Sequence, residues 1–249
     1  MNTRRSMISR RALLSALLGA VLSAGILFVP ALRAQKEELQ TRVADLKDSM
    51  AKNKQELAQY TWVETMTVFL KGDQKKQTHS QVRMGPDGKP RKTSLDPAPA
   101  AAQDQSSGRG GRLKQHVIEK KKEEYEDYAE RMKALIARYV PPDKDAIQAA
   151  YAAGNVSMTP DAGGSASVQL LIKNYVKSAD SVTLVIDKAQ KILTQYAVAT
   201  YLDDPSDAIN LTVNFARIPN GPSHVSDVTV ASIAKQLKVN TQNSQYAKL

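Results

Sequence analysis

The chain has 249 residues, 35 of them basic and 25 acidic, for a formal net charge of +10, and it has no cysteine. The missing cysteine excludes a disulfide framework, a thiolate metal site and a thiol nucleophile. Arg4, Arg5, Arg10, Arg11 and Arg33 carry five of the basic charges. Beyond them 30 basic residues face 25 acidic ones, an excess that favours anionic head groups weakly and does not indicate nucleic acid.

Arg4, Arg5, Arg10 and Arg11 precede an apolar run from Ala12 to Val29, and Pro30-Ala31-Leu32-Arg33-Ala34-Gln35 follows. Basic, apolar and small residues in that order are expected of an export signal, cut after Ala34 or, as second choice, after Ala31. An uncleaved run of this length would instead anchor the chain in the inner membrane. Ser9-Arg10-Arg11-Ala12-Leu13-Leu14 is a partial match to the twin-arginine motif, which leaves that route and Sec export both open. Residues 1–34 are therefore read as a signal and 35–249 as a single periplasmic domain.

From Gln35 to about Gln59, Leu39, Val43, Leu46, Met50 and Leu57 recur at helical spacing, which predicts an amphipathic helix lying on a sheet. At Tyr60 the period changes to two. Trp62, Met66, Val68 and Leu70 alternate with Val63, Thr65, Thr67 and Phe69. Turns at Lys71–Gln74 and Gly85–Gly88 then give a three-stranded meander ending near Leu95. Asp96 to Gly111, rich in Pro, Ala, Ser and Gly, reads as a mobile loop. The helical insertion of 112–154 comes next. It comprises a helix from Arg112 to Val140, with Leu113, Val117, Tyr128, Met132, Leu135, Ile136 and Tyr139 on or near one face, and a short helix from Lys144. Asp143 is a plausible N-cap for the short helix and Gly154 its stop. Met158 to Gly164 reads as loop.

The last third, from Ser167, repeats short apolar runs between turn residues. Val182 to Ile186, Ile192 to Tyr201 and Ile209 to Phe215 each present one dry and one wet face. His224 to Val230 and the largely polar Leu237 to Tyr246 complete a second antiparallel meander. Its apolar face needs a cover, and the functional question is whether protein or ligand supplies it.

Reactive constellations are lacking. His79, His116 and His224 fall in unrelated elements without zinc spacing. Neither a Gly-x-Ser-x-Gly elbow nor a Ser-x-x-Lys motif is present. Asp203-Asp204-Pro205-Ser206-Asp207 lacks the glycine and distal glutamate of a calcium loop and reads as a solvated turn. No catalytic residue, metal or cofactor is expected, and the sequence gives an enzyme no positive support.

In element order, and in Tyr60-Thr61-Trp62-Val63-Glu64-Thr65, the Gly85-Pro86-Asp87-Gly88-Lys89 turn and the runs Val182 to Ile186, Ile192 to Tyr201 and Ile209 to Phe215, the chain resembles the LolA-like superfamily of periplasmic lipid- and lipoprotein-binding proteins. The resemblance implies an α+β fold. Its core would be a strongly curved antiparallel sheet, an unclosed half-barrel covered by amphipathic helices, whose concave apolar face takes lipid or lipoprotein acyl chains. The cavity wall nominated on that basis is Trp62, Met66, Val68, Leu70, Val182, Leu184, Ile186, Ile209, Leu211, Val213 and Phe215. Transient contact with a membrane surface and an envelope protein partner fit the same expectation. The 96–111 loop and the long charged helix exceed the lid expected of a dedicated lipoprotein carrier. The alternative is a structural or interaction protein of the envelope whose apolar face is permanently filled.

Overall fold

The computed structural model describes residues 48–49, 51–97, 109–161 and 164–249. The expected export signal, both cleavage positions, the first part of the amphipathic helix and residues 98–108 of the loop lie outside the described residues. Ser49–Leu249 form one compact unit.

After a helix whose described part includes 51–57 (α1), the chain enters β1 (Tyr60–Leu70), β2 (Asp73–Met84) and β3 (Pro90–Ser94). The β1–β2 connection is a two-residue turn, Lys71-Gly72, with Leu70 paired to Asp73. Both turn residues have positive φ, 55° and 86°, the condition under which so short a turn follows the right-handed twist of its strands. Two helices, α2 (Arg109–Ile136) and α3 (Lys144–Ala152), separate this meander from the second. Asp143 caps α3 by accepting from the Ala146 amide at 2.8 Å. Gly154, at φ 74°, turns the chain out of the helix.

The second meander runs through β4 (Val156–Asp161), β5 (Gly164–Lys173), β6 (Ser181–Asp187), β7 (Ile192–Tyr201), β8 (Ala208–Arg217), β9 (Ser223–Ser232) and β10 (Leu237–Lys248). Antiparallel pairing of β1 with β10 joins the two meanders, with Val68 opposite Val239 and Met66 opposite Thr241. The product is one open ten-stranded sheet in the order β3-β2-β1-β10-β9-β8-β7-β6-β5-β4. Its edges resist further pairing: β3 is fully exposed and carries Pro90, Arg91 and Lys92, and β4 carries Pro160.

Two segments differ from the sequence reading. Met158 to Asp161, read as loop from its Pro and nearby Gly residues, belongs to β4, because on an edge strand a proline's missing N–H faces no partner. The long helix starts at Arg109 and so takes in Gly110 and Gly111, which were assigned to the loop. It ends at Ile136, and Ala137 to Val140 form a turn whose amides bond back to Lys133, Leu135 and Ile136.

Register assigns each side chain to a face, since alternate residues of a strand point to opposite sides. Val182, Val198, Leu211, Val230, Val239 and Val68 stand in one cross-strand row. The row beside it holds Leu184, Tyr196, Val213, Val228, Thr241 and Met66. Apolar side chains thus line one face almost from end to end of the sheet.

Candidate functional site

Every nominated cavity residue lies on this face, but the cover over it is uneven. Trp62, Val182, Leu184, Ile186, Ile209, Leu211 and Val213 are buried, Val182 and Ile209 completely. Met66, Val68, Leu70 and Phe215 are half-buried, as are Val228, Val230 and Val239 between them. The β5–β8 half is therefore a closed core, and the β9–β10–β1 half is apolar surface only partly withdrawn from water.

The C-terminal half of α2 runs along one end of the strands. Tyr128, Met132 and Leu135 form its buried stripe, with Ile136 half-buried beside them, and buried Tyr139 in the turn that follows continues it; the side chains of Leu113 and Val117 lie outside the described residues. Two tyrosines fix it by hydrogen bonds. The Tyr128 hydroxyl donates to Asp207 Oδ1 at 2.6 Å and accepts from the buried Ser232 hydroxyl at 2.7 Å. Desolvation first, and the Asp207 hydrogen bond second, push the Tyr128 pKa up to about 12, so it stays a donor at any ordinary pH. Tyr139 is fully buried. Its hydroxyl donates to Asp180 Oδ2 at 2.7 Å and accepts from Thr200 at 2.7 Å, and its carbonyl accepts from Tyr196 at 2.6 Å.

Asp180 is a nearly inaccessible carboxylate that also accepts from the amides of Tyr175, Val176 and Lys177 at 2.6–2.9 Å. Its charge is thus met by four donors, the condition under which a buried anion is tolerated. Exposed ion pairs, Arg131 with Asp203 and Lys235 with Glu124, flank this anchorage. The Asp203 to Asp207 loop is accordingly committed to α2 and to its own turn, where Asp204 accepts from Ser206. No group of residues able to hold a metal occurs among the described residues.

The opposite end of the sheet carries a different cluster. Trp62 stacks on Tyr246 with ring centroids 5.5 Å apart, and His224 stacks on Tyr246 at 4.1 Å. Asn243 Nδ2 and the Tyr246 hydroxyl both donate to the Val225 carbonyl, and Asn53 of α1 accepts from the Ser223 amide at 3.1 Å. Three buried side-chain atoms here, Trp62 Nε1, His224 Nδ1 and Asn243 Oδ1, have no hydrogen-bond partner among the described residues. Each such atom costs about 1–3 kcal/mol, and all three sit in one cluster. Burial holds the His224 imidazole below its ordinary pKa range; burial first, then the nearby Glu64 carboxylate, raises that of Tyr246. Glu64, on the same face opposite Asn243, is paired with Lys92 at 2.5 Å.

A depression of about 560 Å³ lies at the tips of the β1–β2 and β9–β10 hairpins, among Phe69, Ile233, Leu237 and Lys238. It borders the half-buried part of the apolar face at Leu237.

Sequence reasoning found the face and missed both polar clusters. Asp180 looked like an ordinary turn residue, and Trp62 was read only as apolar wall. The one available signal was the coincidence of tyrosines with an otherwise apolar helix stripe.

These elements define an α+β protein built on an open antiparallel sheet with one apolar face and helices secured at its two ends. No family model matches the chain, and no curated protein matches it. Among solved structures it is similar to a DUF1329 family protein from Desulfovibrio piger, at 10% identity and a TM-score of 0.39, over 82% of this chain and 92% of that one.

Proposed function

We propose that this chain is a non-enzymatic protein of the bacterial envelope that holds an acyl chain of a lipid or lipoprotein against the concave face of a half-barrel sheet. One observation carries the reading: along the row Val182, Val198, Leu211, Val230, Val239 and Val68 the apolar face passes from the buried β5–β8 half into the half-buried β9–β10–β1 half. Trp62, itself buried, and Leu70 stand at the two ends of that stretch on β1, with Glu64, held by Lys92, between Trp62 and Met66. Along β1 Trp62 and Leu70 are eight residues apart, about 27 Å at ~3.4 Å per residue, room for an extended acyl chain of ordinary length. Ten methylenes buried there contribute about 8 kcal/mol, before the cost of association is subtracted. Affinity of that size needs no polar motif, in keeping with the lack of reactive constellations in the sequence. Export across the inner membrane, by the segment 1–34, is part of the same proposal.

The competing reading is an interaction protein whose face is permanently filled, and the complete burial of Ile172, Val182 and Ile209 favours it over that part of the sheet. Trp62 separates the two, because it is the chain's single tryptophan and sits at one end of the face. Titration with a fatty acid brominated along its chain quenches Trp62 fluorescence saturably if the acyl chain lies on this face. Unchanged fluorescence at saturating ligand supports the filled-face protein.

A further inference from the structure

We infer that Trp62, His224 and Asn243 form a recognition site for a neutral polar head group that both donates and accepts hydrogen bonds, such as the hydroxyls of a monoacylglycerol. The inference rests on the acyl-binding reading above and adds the polar end of the ligand to it. Trp62 of β1 and His224 of β9 both stack on the Tyr246 ring, and Asn243 of β10 donates to the Val225 carbonyl that the Tyr246 hydroxyl also bonds. Trp62, only 6% exposed, supplies an indole N–H that can only donate. Asn243 has its amide N–H on Val225 and leaves its oxygen as an unpaired acceptor. His224 is held neutral by burial, so its Nδ1 takes either role according to tautomer. The set therefore asks for a group with a lone pair for Trp62 and a proton for Asn243, which a hydroxyl provides and a carboxylate does not.

Charge points the same way. The Asn243 oxygen and the Glu64 carboxylate, opposite one another on this face, repel an anionic head group, and Lys92 is already engaged with Glu64. Position agrees as well, since the cluster stands at the far end of the apolar face from the Tyr128–Tyr139 anchorage of α2. A ligand seated with its head at Trp62 passes Glu64, which is paired with Lys92, and lays its chain along Met66, Val68 and Leu70.

The test compares 1-decanoylglycerol with decanoate by calorimetry, both below their micelle-forming concentrations, on the full-length protein, Trp62→Phe and Asn243→Leu. In parallel, the single indole N–H resonance of the wild-type protein is followed by nitrogen–proton correlation spectra. The expected result is a preference of about tenfold for the decanoylglycerol, the scale of one well-made hydrogen bond. Its binding shifts the indole resonance, and either substitution brings the two affinities within about twofold of each other. Cooperative thermal unfolding of each variant shows that the ratio is read on folded protein. Equal wild-type affinities with an unmoved indole resonance overturn the head-group site and leave the acyl face standing. Binding of neither ligand overturns both.

Discussion

Replacing Tyr139 by phenylalanine removes one oxygen from the best-defined polar contact between the helical insertion and the sheet. The ring, fully buried, keeps its packing, so the change reports on hydrogen bonds alone. Asp180 retains its three backbone donors but loses the Tyr139 hydroxyl, a bond to a charged acceptor that contributes about 1.5–3 kcal/mol. Thr200, buried beside it, loses the partner at 2.7 Å, and an orphaned hydroxyl costs about 1–3 kcal/mol. The two effects overlap, because Thr200 can turn its proton elsewhere, and a total near 3 kcal/mol follows. For a unit of this size each kcal/mol moves the midpoint by roughly 2–4 °C, so Tyr139→Phe is expected to melt roughly 6–12 °C below wild type by circular dichroism. Urea unfolding with an unchanged slope confirms that stability moved and the unfolded state did not. A loss under about 1 kcal/mol, against this scale for hydrogen bonds to charged groups, refutes the claim that this contact locks the helix to the rim.

The uneven cover of the face gives a second expectation. Ile209→Ala, in the closed half, is expected to lose about 2–5 kcal/mol of stability, whereas Val68→Ser, in the half-buried half, costs less and weakens acyl-chain binding several-fold; denaturant melts and fatty-acid titration check the pair, and equal stability losses refute the distinction. A third concerns pH. The His224 pKa is lowered in the fold by burial, so the unfolded chain takes up the proton first, near its ordinary value of about 6.5. The stability linked to His224 is therefore complete above that pH and is lost as the pH falls through the folded value. Wild type minus His224→Gln, measured by urea unfolding across this window, should show that slope, and a difference independent of pH refutes it. Fourth, intact-mass measurement of the exported protein should give a chain beginning at Gln35 or Leu32, and a mass retaining residues 1–34 refutes cleavage.

Most strands could be read from the sequence because one-sided burial writes a period of two into them. Ile209 to Phe215 and Tyr60 to Leu70 are unmistakable for that reason, and Asp143 was legible as a cap because its role is local. Pairing between β1 and β10 was not legible, since nothing near Val68 names Val239 as its neighbour. β4 was missed because Pro160 carries the same letter in a turn and on an edge strand. Nor does apolar alternation say how deeply a face is covered: Val68 and Leu211 look alike in sequence, but only Leu211 lies under the closed half. The polar clusters were least visible, because Asp180 and Asn243 gain their roles from partners brought together by the fold.

The acyl-binding reading stands or falls on whether the face carries a ligand in the cell. Native mass spectrometry of the protein purified from a bacterial envelope, before and after organic extraction, measures that directly. A discrete additional mass of lipid size that disappears on extraction is the expected result. A bare polypeptide mass that remains bare after incubation with envelope lipids contradicts it and leaves a protein whose apolar face is filled by its own chain.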